Sequence, residues 1–405
     1  MLKRYFLNNK KRNFSTASIW IKGGSDMDST GKKGINKILC SLLTRGCEGF
    51  NNFTLSEYIE SYGAELNQEI FEDGISISIK SLNEHFSKLF PLLDLIINKP
   101  ILSETEFKKV KKSSIDHIKK DKENPFNICF EKWRKIVYSN HPYAFNTIGN
   151  ANDVSKITYE DVLLEFKNLK NREKYLISNN PEINGENFGT LEKKILKEKS
   201  DPLNHNLNTT NRFDYINNDS NQTIIMMGDQ TCSRRSSEYF PLKVLESYLS
   251  YGMSAALFKL FREKHGITYD LGVYYPIRSG NAPFLIYLSV SNEQALFAFE
   301  LLSTLWKNLL FNPLTDAEIF LAKEKLKGSF LLGNQSLDEI LQRKIQLVSY
   351  GISPISENDL NSKIEEISSL DILKLTNKYF SKPFLSISGN EKICLEISNR
   401  WKKNF

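Results

Sequence analysis

The chain has 405 residues, 40% hydrophobic and 25% charged, a composition of ordinary globular protein and a length comfortable for two domains. Its formal charge of +6 comes from residues 1–200, without the concentrated basic stripe of a nucleic-acid binder. No apolar run reaches the length of a membrane-spanning helix, and five scattered cysteines without a C-x-x-C pair favour a reducing compartment over a disulfide framework and exclude a cysteine-rich zinc module. A reducing, cytoplasmic setting is expected.

The first 22 residues carry Lys3, Arg4, Lys10, Lys11, Arg12 and Lys22 and no acid, as a transit peptide would. Ser15-Thr16-Ala17-Ser18-Ile19-Trp20-Ile21 already reads as a core strand, however, so a structural start is expected. Ile75-Ser76-Ile77-Ser78-Ile79 alternates with period two and predicts a half-buried strand. Apolar residues at helical spacing predict a helix over 84–97, stopping before Pro100. Ser103-Glu104-Thr105-Glu106 has a capping-box signature and opens a helix expected to run through Lys122, before Pro125. A further helix is expected at 189–196.

The second half repeats this order. Residues 284–290 predict a strand, 292–310 a long helix, and Pro313-Leu314-Thr315-Asp316-Ala317-Glu318 the start of the next. That start parallels Pro100-Ile101-Leu102-Ser103-Glu104-Thr105-Glu106, and Asn83-Glu84 is echoed by Asn292-Glu293. The expectation is an α+β fold made by internal duplication, with two homologous domains, each a mainly antiparallel sheet with helices packed on it. The boundaries expected are 1–200 and 222–405, joined by a polar linker at 201–221.

Gly34-Ile35-Asn36-Lys37-Ile38-Leu39-Cys40-Ser41-Leu42-Leu43-Thr44-Arg45-Gly46 resembles the zinc helix of the insulinase and mitochondrial-processing-peptidase family, peptidase M16. The likeness extends to Ile19-Trp20-Ile21-Lys22-Gly23-Gly24-Ser25, Thr54 to Asn67, His141-Pro142-Tyr143, Ile148-Gly149, Gly252 to Phe258 and Phe261 to Tyr269. It implies half of a clamshell peptidase chamber. Catalytic members carry H-x-x-E-H, in which two histidines one turn apart bind zinc and the glutamate polarises water. Here the frame reads K-x-x-C-S. Lys37 and Ser41 stand at the histidine positions and Cys40 at the base. Aligning on Asp121-Lys122-Glu123-Asn124-Pro125 puts His117 at the downstream glutamate ligand. An ammonium, a hydroxyl, one imidazole and one thiol do not make a closed tetrahedral site, so no metal and no cofactor is expected in this chain.

Arg262 and Tyr269 match the arginine–tyrosine pair of the family's substrate-binding half, which the resemblance implies would hold a peptide's carbonyls. Pairing of Arg262 with a neighbouring carboxylate such as Glu263 is the structural alternative. The resemblance also implies an exposed sheet edge, Leu66-Asn67-Gln68-Glu69, to which an extended peptide would add as a strand. No glycine-rich loop precedes Met253, unlike the non-catalytic subunit of the mitochondrial enzyme, which argues against presequence processing. The resemblance therefore implies a non-catalytic, substrate-binding subunit of a heterodimeric zinc metallopeptidase, inactive alone. A partner would bear H-x-x-E-H and the zinc and a peptide would be the substrate; the composition leads to no expectation of nucleic acid or of a membrane span. The rivals are a purely structural peptidase-like subunit and a peptidase with an atypical metal site.

Overall fold

The computed structural model describes residues 2–7, 13–183, 186–187, 211–268, 270–332, 336–352 and 357–405. The chain forms two compact units. One comprises Met1–Lys120, Phe145–Lys199 and Gly333–Ile355; the other comprises Asp121–Ala144, Ser200–Leu332 and Ser356–Phe405.

The sheet of the first unit contains β1 (Leu2–Phe6), β2 (Phe14–Lys22), β3 (Glu65–Ile70), β4 (Gly74–Leu82), β5 (Lys174–Ser178) and the short β6 (Glu186–Asn187), in the order β3-β4-β2-β5-β1-β6. The pairs β3–β4, β4–β2 and β2–β5 are antiparallel, whereas β1 runs parallel to β5 and β6. The second sheet contains β7 (Phe213–Asn217), β8 (Gln222–Gln230), β9 (Asp270–Tyr274), β10 (Pro283–Ser291) and β11 (Phe384–Gly389), in the order β7-β11-β8-β10-β9. All its pairs are antiparallel except β7–β11. Strand for strand, β3-β4-β2-β5-β1 matches β9-β10-β8-β11-β7, including the single parallel pair beside β5 and β11. Even a side-chain bond is duplicated: Ser15 Oγ meets Asn83 Oδ1 at 2.7 Å, and Thr223 Oγ1 meets Asn292 Oδ1 at 2.8 Å. This is the α+β duplication expected.

The alternation that predicts strands also sorts their faces. Ile19, Ile21, Ile75, Ile77 and Ile79 point into one core with Ile38, Leu39 and Leu42 of the helix Ile35–Leu43 and with Phe86, Leu93, Val162 and Leu169. The opposite face of β2 presents Trp20, whose ring lies across Gly74; a Cβ at Gly74 would meet the indole at 2.2 Å.

The faces left over are covered by exchange. Trp20, Tyr5, Tyr175 and Ile177 pack against Leu337, Leu341, Ile345 and Val348 of the helix Leu337–Ser349. That helix comes from the second half of the sequence. Thr16 Oγ1 donates to Asp338 at 2.8 Å, and Tyr350 Oη donates to Asp73 at 2.8 Å, fixing both ends. In the second unit the helix Pro125–Tyr138, from the first half, covers β7, β8 and β11. Ser386 Oγ donates to the Cys129 carbonyl at 3.0 Å, and Tyr138 Oη donates to the Asn281 carbonyl at 2.9 Å. Phe126 and Phe130 meet Tyr287 and Tyr274 edge-on.

Two expected elements differ. The helix expected over 84–97 is two, Asn83–Leu89 and Pro91–Asn98, because Pro91 has no N–H to continue the first and is preorganised to start the second. Of the segment 201–221, residues 201–210 lie outside the described residues, as does the expected helix at 189–196, while Phe213–Asn217 forms β7. There Phe213 stacks on Tyr215 and Trp401, and parallel pairing with β11 outweighs the polar composition. The helix opened by Ser103 runs Glu104–Asp121, with the Glu106 N–H donating to Ser103 Oγ at 3.2 Å.

Leu341→Ala should destabilise the protein by about 2–5 kcal/mol, the usual cost of emptying a closed apolar site. Leu331→Ala, at a leucine 53% exposed, should stay within about 0.5 kcal/mol. Urea unfolding of both variants checks this.

Candidate functional site

The zinc-helix frame folds as a helix, Ile35–Leu43, and its scaffolding is specific. Gly34 adopts φ 99°, and a Cβ there would meet the Ile148 carbonyl at 2.6 Å. The buried Asp28 carboxylate caps the helix start. It accepts from the N–H of Gly34 at 2.6 Å, from the N–H of Asn36 at 3.1 Å and from Asn36 Nδ2 at 2.8 Å. Burial pushes the Asp28 carboxyl up to about 6 in spite of these bonds. Arg172 donates to Asn36 Oδ1 and to the Gly23 carbonyl, each at 3.0 Å, and pairs with Glu165. Asp26 accepts from the Gly24 N–H at 2.7 Å. Burial, then the charge of Asp73, raises its carboxyl to about 7.

Lys37 and Ser41, four residues apart, share the half-buried side of this helix, and Cys40 is fully buried. Burial drives the Cys40 thiol up to about 12, with Lys37 acting downward and Glu69 upward. Cys40 is therefore a neutral thiol at neutral pH, neither a thiolate ligand nor a base. His117 is exposed on the helix Glu104–Asp121. Among the described residues no group of three or more histidines, cysteines, aspartates or glutamates could hold a metal. The donor set at the four motif positions does not fit zinc.

Among the described residues β3 forms an edge of its sheet, with β4 as its one neighbour. Leu66 and Gln68 lie half-buried in register with Ile79 and Ile77, while Asn67 and Glu69 are exposed on the other face. Glu69 Oε2 accepts from Gln342 at 3.1 Å.

In the second unit, Arg262 lies exposed on Phe258–Lys264, a helix of wide π-type pitch, a form frequent at functional positions. Its guanidinium stands 4.8 Å over the Phe258 ring, and neighbouring Phe261 is buried. The helix ends at Gly266, φ 62°, where the Ile267 N–H donates back to the Phe261 carbonyl at 2.9 Å. Thr268 Oγ1 bonds the carbonyls of Asp270 and Ser289, pinning the chain to β9 and β10. Tyr269 lies outside the described residues.

Sequence reasoning missed Asp28, Asn36 and Arg172, the polar frame of the motif helix. The signal available was Asp28 shortly before a glycine-started helix; nothing in the sequence ties Arg172 to it.

The profile described as insulinase (peptidase family M16) matches residues 4–151, and that described as peptidase M16 inactive domain matches residues 182–326. The chain belongs to the M16 family. It is a member of the non-catalytic type, since H-x-x-E-H is replaced at Lys37, Cys40 and Ser41. An uncharacterized zinc protease of Rickettsia felis is 23% identical over 370 residues, 89% of this chain and 88% of the relative. The uncharacterized zinc protease YmxG of Bacillus subtilis is 22% identical over 412 residues, 96% and 99% of the two chains. A peptidase M16 inactive domain from Pseudomonas fluorescens has the same fold, with a TM-score of 0.80 at 20% identity, covering 96% of this chain and 95% of that one. A protease from Helicobacter pylori matches with a TM-score of 0.80 at 17% identity, covering 95% and 96%. No helix among the described residues is long and apolar enough to cross a membrane.

The raised carboxyl of Asp26 sets a pH dependence. A carboxyl higher in the folded state than its ordinary 3.8 binds more protons folded than unfolded between that value and about 7. Its contribution to stability is thus complete below 3.8 and is lost as pH rises through about 7. Asp26→Asn should flatten the fall in stability between about pH 4 and pH 7, measured as the urea midpoint at each pH.

Proposed function

We propose that this chain is the non-catalytic, substrate-binding subunit of a heterodimeric M16 zinc metalloendopeptidase, working in the cytoplasm with a partner that carries H-x-x-E-H and the zinc. The observation that carries this reading is the pairing of an intact motif helix, stripped of every ligand, with an exposed Arg262 at the position of the family's substrate-binding arginine. Selection for a peptidase would retain the ligands; loss of the whole chain's purpose would not retain the arginine.

In this reading the partner supplies metal chemistry. This chain supplies binding. Arg262 donates charged hydrogen bonds to the carbonyls of a bound peptide, and Tyr269 adds a phenol donor where charge builds on the scissile carbonyl oxygen. The outer edge of β3, at Leu66, Asn67, Gln68 and Glu69, offers its backbone to an extended peptide, which gives affinity with little sequence preference. Lys37 places a fixed ammonium at a former ligand position, so charge there no longer depends on a metal.

The pure chain should hold far less than one zinc and hydrolyse no peptide, measured by metal analysis and a fluorogenic peptide. Stoichiometric zinc with chelator-sensitive turnover would overturn the reading. Mixed with a relative bearing H-x-x-E-H, it should form a heterodimer on sedimentation and restore turnover. In that complex Arg262→Ala and Tyr269→Phe should each lower kcat about 100- to 1,000-fold, or about 2.7–4 kcal/mol, with the partner's zinc retained. Unchanged turnover in both variants, with the complex intact, would make the chain a scaffold.

A further inference from the structure

The second unit contains a cavity of about 390 Å³ that none of the foregoing uses. It lies between the helices Tyr239–Ser250, Phe258–Lys264, Ala295–Phe311 and Asp316–Leu332, which supply its walls. Its floor is aliphatic, formed by Leu260, Leu301, Leu305 and Leu321, the last 40% exposed. Leu301 and Leu305 continue the stripe begun by Phe297, itself 42% exposed. Apolar side chains thus line a recess that the described residues leave open.

Three cations line the same recess: Lys259, Lys264 and Lys325. The one carboxylate among the lining residues, Glu318, is already engaged. It accepts from the Thr315 N–H at 2.9 Å and hydroxyl at 2.8 Å, and from Tyr248 Oη at 3.0 Å. Burial, then the like charge of Lys259, holds the Lys325 ammonium below the usual lysine value. Lys259 and Lys325 therefore repel one another across the recess, a cost that Glu318 offsets in part through Lys259 and that an anion between the two lysines would relieve further. The volume falls in the range of small-molecule sites. Among the described residues Tyr248 is the only aromatic side chain in the lining, so they present no pair of rings to sandwich a nucleobase.

We propose that this cavity binds a soluble single-chain aliphatic carboxylate, its tail against Leu260, Leu301 and Leu305 and its head between Lys259 and Lys325. Leu260 and Lys264 belong to the helix that bears Arg262, so occupancy braces that helix from the side opposite the arginine. The inference stands on the cavity alone and does not require the heterodimer.

The test uses the full chain and sodium octanoate. Calorimetry should show saturable binding below the millimolar range, with slowed amide exchange over 258–264. Butyrate, shorter by four methylenes, should bind at least tenfold more weakly, and 1-octanol, with the same tail and no charge, at least fivefold more weakly. Lys259→Ala with Lys325→Ala should lose at least fivefold for octanoate and nothing for octanol. Lys259 is exposed and Lys325 half-buried, so the fold should survive; if the pair does unfold, Lys325→Met alone carries the same expectation. Equal binding of octanol and octanoate, by wild type and variant alike, would overturn the proposal. So would failure of octanoate to bind at ten millimolar. Pelleting with phosphatidylglycerol vesicles without any binding of octanoate would identify a lipid surface in place of a free carboxylate, and would overturn it equally.

Discussion

The covering of each sheet by a helix from the other half of the chain is the constraint on which the structure rests. A sheet with two apolar faces needs layers on both sides. The first sheet finds one layer in its own segment of sequence, through Ile38, Leu39, Phe86 and Leu93, and the other in Leu337–Ser349. The second is completed by Pro125–Tyr138. The bonds at these contacts, Thr16 to Asp338, Tyr350 to Asp73 and Ser386 to the Cys129 carbonyl, all join residues hundreds of positions apart, and the last two are satisfied in buried surroundings, where an unmade bond is expensive. Stability in either unit is consequently a property of the whole chain.

Under that frame, the motif helix shows what remains when a metal site is given up. The ligands are gone, but the Asp28–Asn36–Arg172 frame that seats the helix is complete, because it serves the fold independently of any metal. Cys40 illustrates the change of role. In a polar site a residue at the base position would be tuned to exchange protons near neutrality; here burial makes it a small apolar side chain packed with Leu39 and Leu43. Arg262 and the outer residues of β3, Asn67 and Glu69, are exposed.

Most of the fold is legible in the sequence, for identifiable reasons. The period-two run at Ile75–Ile79 and the capping signature at Ser103 are local, and local signals determine local structure. The break at Pro91 is not read, because the apolar spacing runs straight through it. The duplication is written in repeated order, down to Asn83 and Asn292. What the sequence hides is assignment at a distance. The apolar stripe of Leu337, Leu341, Ile345 and Val348 announces a buried face without saying which sheet buries it. Arg172 and Asn36, 136 residues apart, carry no mark of their bond. Lys259, Lys264 and Lys325 look like ordinary surface lysines until the helices place them around one recess. Lys37, Cys40, Ser41, Arg262 and the β3 edge are candidates only because a resemblance assigns them positions, which spacing alone does not.

The exchanged helices also put the protein on a clock. Its first five strands are complete once Ser178 has been made, yet the aromatic face of that sheet, with Trp20 at its centre, waits for Val348. At ordinary elongation rates of about 5–20 residues per second, that interval lasts roughly 10–35 seconds. Throughout it, a finished sheet stands on the ribosome with one greasy side bare. A nascent chain of this design depends on something holding that side apart from its neighbours until translation has nearly ended.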